Sequence, residues 1–401
     1  MQRICNPQNL VRFRVWAPNR SKNMIQAIHR NSNILNNAQD LKHLFTFEKF
    51  PVFMGCTEEN SDEDLYFDMS WHISESTGII QLNPLIPEET LYSKNHGAGS
   101  VGKIWKNHHV KFAEFFSKLK PNSVLEIGGG HGLLSLAYKK IEDIPWTIVD
   151  PNSTRVDGVT AKTINCFFDE NFSVEEEYDL VVHSHVFEHM FYPNIFLQNL
   201  SSFIKSGKRM AFSVPNMKVA LNRNYANCIS FEHTIFLTEP IIESILSQNK
   251  FIIEDKEYYM KDHSIFYVVK KVDYEIDNKL PSSIIEENEL LFFRYINHFR
   301  SLVEKVNIVI KQTTKPVFIF GAHVFTQYLI AFGLETTKVK FVLDNDPNKH
   351  NKRLYGTDLH VKSPKILENY DSPLVVAHVG AFTEEIKQDV LKNINPNCEF
   401  I

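Results

Sequence analysis

Glu126, Gly128, Gly130 and Gly132 lie in the run SVLEIGGGHGLLSLAYKK and spell E-x-G-x-G-x-G between an apolar stretch and a helical one. Glycines at such a junction let the chain turn sharply and let its backbone come close to a ligand. Asp150 closes the next apolar run, WTIVD, where a carboxylate can accept hydrogen bonds from ribose hydroxyls. Turn and acid together predict a cradle for a nucleoside-bearing cofactor. His185 and His189 stand four apart in YDLVVHSHVFEHM, a spacing that fits a polar helix face. A metal pair on that spacing needs further ligands, and the sequence locates none, so no metal is expected.

The elements that must position these residues follow from pattern. WKNHHVKFAEFFSKL repeats its apolar residues near helical spacing, and Pro121-Asn122 ends it. Strand-like runs VLEI, WTIVD, DLVVHS and RMAFSV then alternate with helical or loop stretches, which predicts a parallel α/β sheet covered on both faces. The run 286–312 reads as one long amphipathic helix, followed by Pro316. VFIFG, VKFVLDND and PLVVAHVG repeat the alternation, so a second, smaller α/β unit is expected at the C-terminal end. Residues up to about 95 read as irregular, with GIIQL as a possible strand and EENSDEDL (58–65) as a solvated loop. The resulting division is an N-terminal auxiliary domain at 1–95, a cofactor domain at 96–275, and a linker helix with a C-terminal α/β domain at 276–401.

Composition bounds the partners. A chain of 401 residues exceeds what one core usually organises, and 31 phenylalanines exclude a disordered chain. A formal net charge of -5, without long Lys and Arg blocks, argues against nucleic acid. No secretory leader and no apolar run long enough to span a membrane is evident, so the expected location is cytoplasmic. The five cysteines are too scattered for a C-x-x-C site and read as free thiols.

Glu126 ahead of three closely spaced glycines resembles motif I of the class I methyltransferases, rather than an NAD fingerprint. That resemblance implies a Rossmann-like fold, S-adenosyl-L-methionine as cofactor, and Glu126, Gly128, Gly130, Gly132 and Asp150 around it. INCFFDENF (164–172) is similar to the adenine-facing loop of that superfamily, with Phe168 to stack on adenine and Asp169 to accept from its amino group. For these two residues a core aromatic and a helix cap are the structural alternatives.

Over nearly its whole length the chain resembles the three-domain NDP-sugar C-methyltransferases that act on 4-keto deoxysugars. LYSKNHGAGSVGKIWKNHHVKFAEFF is similar to the family's approach to motif I, HVFEHM to its N-V-L-x-H element, and SVPNMKVALNRNYANCISFEHTIFLT to its E-F-P and Y-H-E-H segments. FIFGAHVFTQYLIAFGL and the stretch 341–367 are similar to its C-terminal domain. The resemblance implies His233 as general base, Glu232 as its orienting or proton-shuttling neighbour, His189 as a second catalytic histidine, and His185 beside the cofactor in place of an asparagine. Histidine suits proton removal next to a carbonyl because it titrates near neutrality. The resemblance also gives the C-terminal domain a part in binding the sugar's nucleotide, with Asp344 as a polar candidate; a turn-forming aspartate in D-N-D-P is its alternative.

Three departures from that family matter. Its N-terminal zinc-binding cysteines are missing, Ser230-Phe231 replace Tyr-His, and Ser213 replaces the glutamate of E-F-P. Methylation of a sugar hydroxyl, or of a related small molecule in a surface-glycan pathway, therefore stays open beside C-methylation. A catalytically silent cofactor binder is the third reading.

Overall fold

The computed structural model describes residues 26–91, 103–261, 263–277 and 279–401. Cys5, the N-terminal run and residues 92–102 of the approach to the glycine turn lie outside the described residues.

The middle of the chain builds a seven-stranded sheet in the order Phe251–Tyr259, Ser264–Lys271, Arg209–Pro215, Leu180–Ser184, Val124–Ile127, Trp146–Val149, Lys162–Ile164. The five strands from Arg209–Pro215 to Lys162–Ile164 run parallel, and Ser264–Lys271 is antiparallel to both of its neighbours. The strand Val124–Ile127 is buried at every position, as a parallel strand covered on both faces must be. Strand order reverses at this strand: the chain moves to one side for the next two strands and to the other side thereafter. Open α/β sheets bind ligands at such a switch point, beyond the carboxyl ends of the strands, and there the glycine turn sits. The helix Lys103–Ser117 covers one face through Phe112, Phe115 and Phe116.

A five-stranded parallel sheet follows the 29-residue helix Ile284–Gln312, in the order Val361–Lys362, Val339–Leu343, Val317–Phe320, Leu374–Ala377, Glu399–Phe400. Thus the predicted α/β architecture is present in both places, with the long helix between them.

The expectation of irregular structure up to residue 95 is corrected for the described part. Leu41–Pro51, Tyr66–Ser74 and Ile80–Leu82 form a three-stranded antiparallel sheet. Two register shifts, between His43 and Phe45 and between Phe47 and Phe50, break the period-two alternation that would have signalled the first strand. The stretch 58–65 is not simply solvated. The Asp64 side chain is buried and takes a two-pronged ion pair from Arg353, with contacts of 2.6 and 2.7 Å, so an acid that looked like loop solvation fastens the N-terminal segment to the short strand Arg353–Leu354, which pairs with Cys56–Thr57. One apolar core runs through both ends of the chain, joining Phe47, Phe50 and Trp71 to Phe299 and Tyr328.

Candidate active site

The glycine turn is tied to the neighbouring strand by one side chain. Asp150 Oδ2 accepts from the amide of Gly130 at 2.9 Å, and its Oδ1 accepts from the amide of Asn152 at 2.8 Å. Gly130 has φ +41°, and a Cβ built there meets only Asp150 Oδ2, at 3.7 Å. The space in front of Gly130 is therefore open, a cradle that any larger residue would fill. Gly132 caps the helix Leu133–Tyr138 in the left-handed conformation, and a Cβ there would meet Val159 Cγ1 at 2.7 Å. Gly128 abuts Val186, which brings the turn against the loop after the strand Leu180–Ser184.

Glu126 has a different place from the other motif residues. Its carboxylate is buried beneath the turn, accepts from the Trp146 indole N–H at 2.8 Å, and is pushed up to about 7 by burial. It stiffens the turn from behind. Phe168 turns inward against Phe172, Phe196 and Phe203, with ring centroids 5.0 to 6.2 Å apart. Asp169 closes a local turn by accepting from the amide of Asn171 at 2.9 Å. The core-aromatic alternative thus describes Phe168 as it stands, whereas Asp169 has no helix to cap, and the exposed aromatic of this loop is Phe167, at 57%.

The protonic residues gather at the same edge of the sheet. His185, at φ +53°, opens the loop after Leu180–Ser184, and a short turn, Phe187–His189, completes it. The helix on which His185 and His189 could have formed one polar face is absent, and the two rings face different neighbours. His189 lies 4.9 Å from the His233 ring, and its Nδ1 is 4.0 Å from Glu232 Oε2. Glu232 and His233 occupy the irregular segment before the helix Glu239–Gln248, where Ser230 Oγ accepts from both of their amides, at 3.3 and 3.2 Å. This is the loop that their adjacency requires. Burial, and then the nearby His233, pull His189 down to about 4, so it is neutral at physiological pH.

Two contributors were not evident from sequence. Glu188 is 1% exposed, accepts through Oε1 from His185 Nδ1 at 2.8 Å, and offers a carboxylate oxygen that lies with ring nitrogens of His189 and His233, all within 4.8 Å of one another. Burial raises its pKa. Arg30, also buried, donates to the carbonyls of Leu82, Phe191 and Thr234 and fixes the backbone beside His233. Arg30 has no signal in the sequence, because its partners are 52 to 204 residues away; Glu188 is only three residues from His185, and what the sequence does not show is its burial. Of the departures, Ser213 bonds Ser184 at 2.9 Å inside the sheet, and Phe231 packs against Phe50 and Phe67.

The described cysteines, Cys56, Cys166, Cys228 and Cys398, are free. No helix among the described residues is long and apolar enough to cross a membrane.

The open glycine cradle beside an acid at the sheet's switch point coincides with a family match: the model described as "Methyltransferase domain" covers residues 106–251. This is an S-adenosylmethionine-dependent methyltransferase domain. A second model, "C-methyltransferase C-terminal domain", covers residues 287–401. Among solved structures, the chain resembles an O-methyltransferase family protein of Burkholderia thailandensis at 9% identity and TM-score 0.34, over 43% of this chain and 58% of that one. The chain thus spans less than two thirds of that protein. It is also similar to the 1,6-didemethyltoxoflavin-N1-methyltransferase of the same organism, bound to S-adenosylhomocysteine, at 15% identity and TM-score 0.34 over 43% and 82% of the two chains. The N-methyltransferase NodS of Bradyrhizobium japonicum gives 13% identity and TM-score 0.32 over 43% and 99%. No curated protein matches the chain significantly.

Proposed function

We propose that the chain methylates a nucleotide-linked keto sugar at the carbon beside the ketone, with His233 as general base. The observation that carries this reading is the pairing of His189 and His233, from two separate loops, with Glu232 beside them. The bound cofactor supplies an electrophilic methyl group on sulfur. The chain's own residues do the rest: Gly128, Gly130, Gly132 and Asp150 hold the cofactor, and His233 takes the proton from the acceptor carbon. His189, neutral and close by, receives that proton or holds the carbonyl, while Glu232 orients the pair. In this reading residues 96–275 form the cofactor half, residues 1–95 and 276–401 form the acceptor side, and His185 borders the cofactor. The match of residues 287–401 to a C-methyltransferase C-terminal domain supports transfer to carbon.

The test separates base catalysis from fold. With substrate and S-adenosylhomocysteine in heavy water, the protein should exchange the carbon-bound proton without any methyl transfer, read by mass spectrometry. His233→Asn should stop this exchange and lower the methylation rate roughly 100-fold to 10,000-fold, with cofactor affinity nearly unchanged. Methylation of a hydroxyl without carbon exchange would replace this reading by O-methylation. That second reading draws on Ser230 and Ser213, which occupy the places of the sugar family's tyrosine and glutamate and are engaged in holding the backbone and the sheet.

A further inference from the structure

Beside the cofactor cradle is a second group of histidines that the proposed proton transfer does not use. His108 comes from the helix Lys103–Ser117, His185 from the loop after Leu180–Ser184, and His263 from the hairpin before Ser264–Lys271. One ligand atom from each lies within 4.8 Å of the other two. Trp105 sets its ring against all three, at 5.4, 4.7 and 4.9 Å between centroids, and so closes the group on one side.

Three observations say that this is more than aromatic packing. His108 is fully buried, and neither of its ring nitrogens has a hydrogen-bond partner. A neutral imidazole carries one N–H and one lone pair, and leaving both buried and unmatched is costly. His185 is held with its Nδ1 2.8 Å from Glu188 Oε1, the carboxylate-to-imidazole contact that stands behind metal-bound histidines and fixes their tautomer. Its backbone is left-handed, a conformation uncommon in non-glycine residues and concentrated at functional sites. Finally, Ser264 Oγ lies 2.9 Å from His185 Nε2 and 2.7 Å from His263 Nδ1, so one hydroxyl ties two of the three rings together.

We propose that His108, His185 and His263 form a binding site for one divalent transition metal, zinc by ligand type. Three neutral imidazoles with a fourth position free is a recognised zinc donor set, with Zn–N distances of about 2.0–2.1 Å. Nitrogens around such an ion stand about 3.4 Å apart, which rotation of the rings can reach from the present spacing. Burial holds His108 and His185 far below the usual histidine range, so both offer lone pairs rather than protons at neutral pH. The ion would fasten the helix and the hairpin to the loop that carries Glu188 and His189, and thereby fix the wall between cofactor and acceptor. The sequence shows only His185 and His189 as neighbours; the fold separates them into two clusters and gives each its own companions.

The test uses the full-length protein after dialysis against a chelator. Titration with zinc should give one equivalent bound by calorimetry, and cobalt should give the visible bands of a four-coordinate, nitrogen-ligated ion. His108→Gln and His263→Gln should each weaken binding by at least about 100-fold, and Glu188→Gln by about 10-fold to 100-fold. His233→Asn should leave metal affinity unchanged. Affinity for S-adenosylhomocysteine, measured on each variant, identifies any that fail to fold, and two ligand variants guard against losing one that way. The proposal is overturned if the wild-type protein takes up no metal or if the cobalt spectrum shows thiolate charge transfer. Binding that survives His108→Gln and His263→Gln but is lost in His233→Asn would also overturn it and place the ion on Glu188, His189 and His233.

Discussion

The molecule contains the same piece of backbone chemistry twice, and only one copy is open. In the central sheet, Asp150 at the end of the second strand accepts from the amide of Gly130 in the turn after the first, at 2.9 Å. In the C-terminal sheet, Asp344 ends the strand Val339–Leu343 and accepts from the amide of Ala322 in the turn after Val317–Phe320, again at 2.9 Å. The surroundings then diverge. Gly130 faces open space, and among the described residues no lysine or arginine pairs with Asp150. Asp344 is held in addition by Lys349 Nζ at 2.9 Å, and its turn has Ala322 where the open turn has Gly130. The second amide contact (Asn152 to Asp150, Asp346 to Asp344) and the valine packed on the first glycine (Val186 on Gly128, Val379 on Gly321) are common to both copies. A shared turn geometry therefore does not make a shared site. A nucleoside needs an acid free of a cation and an open glycine beside it, and the C-terminal copy has a lysine on its acid and an alanine in the turn.

The largest way to break this comparison is to fill the open cradle. Gly130→Val places a β-branched side chain at φ +41°, where such residues are genuine outliers, and directs it into the cofactor space. Affinity for S-adenosylhomocysteine should fall by at least about 1,000-fold, about 4 kcal/mol, by calorimetry. A circular dichroism spectrum should stay folded. Retained affinity would mean that the cofactor is held elsewhere.

Exchanging the two acids sharpens the same contrast at smaller scale. Asp150→Asn should weaken cofactor binding by about 10-fold to 100-fold, the worth of a charge-assisted hydrogen bond or two. Asp344→Asn should leave that affinity unchanged and cost on the order of 1 kcal/mol of stability through the weakened contact with Lys349. Equal effects of the two substitutions on cofactor affinity would show that the C-terminal copy also takes part in binding.

The difference between the two copies explains what the sequence could and could not disclose. Glycine spacing, the acid at the next strand's end and the alternation of strands and helices are local, so the central fold and the cradle were legible. Whether an aspartate is free or already paired with a lysine five residues on depends on a side chain's direction, and Asp344 in D-N-D-P looked the same in either case. Phe168 shows the limit in another form: the sequence sets two aromatics side by side in this loop, and only packing turns half-buried Phe168 toward Phe172, Phe196 and Phe203 while leaving Phe167 exposed. The histidine clusters were the least legible. Their members arrive from separate helices, loops and a hairpin, and only packing brings His108 to His263 or His189 to His233.

The smallest expected effect concerns the residue behind the open turn. Glu126 is raised to about 7, chiefly by burial, from an ordinary value near 4.5, with the Trp146 hydrogen bond opposing and the charge of Asp150 adding to the rise. A carboxyl raised on folding stabilises the protein fully below its unfolded pKa. That contribution is lost as pH climbs through about 7, because the unfolded chain ionises first. The shift corresponds to at most about 3 kcal/mol. Glu126→Gln removes the titration while keeping an oxygen to accept from the Trp146 indole. Denaturant unfolding at pH 5 and pH 8 should therefore show the wild type losing stability on the alkaline side relative to the variant, with the gap closing at pH 5. In the C-terminal copy no carboxylate stands at the matching place before Gly321, where the strand reads Val317–Phe320. The pH-dependent strain thus belongs to the open turn, and an equal response in wild type and variant would show that Glu126 ionises as freely in the folded protein as in the unfolded chain.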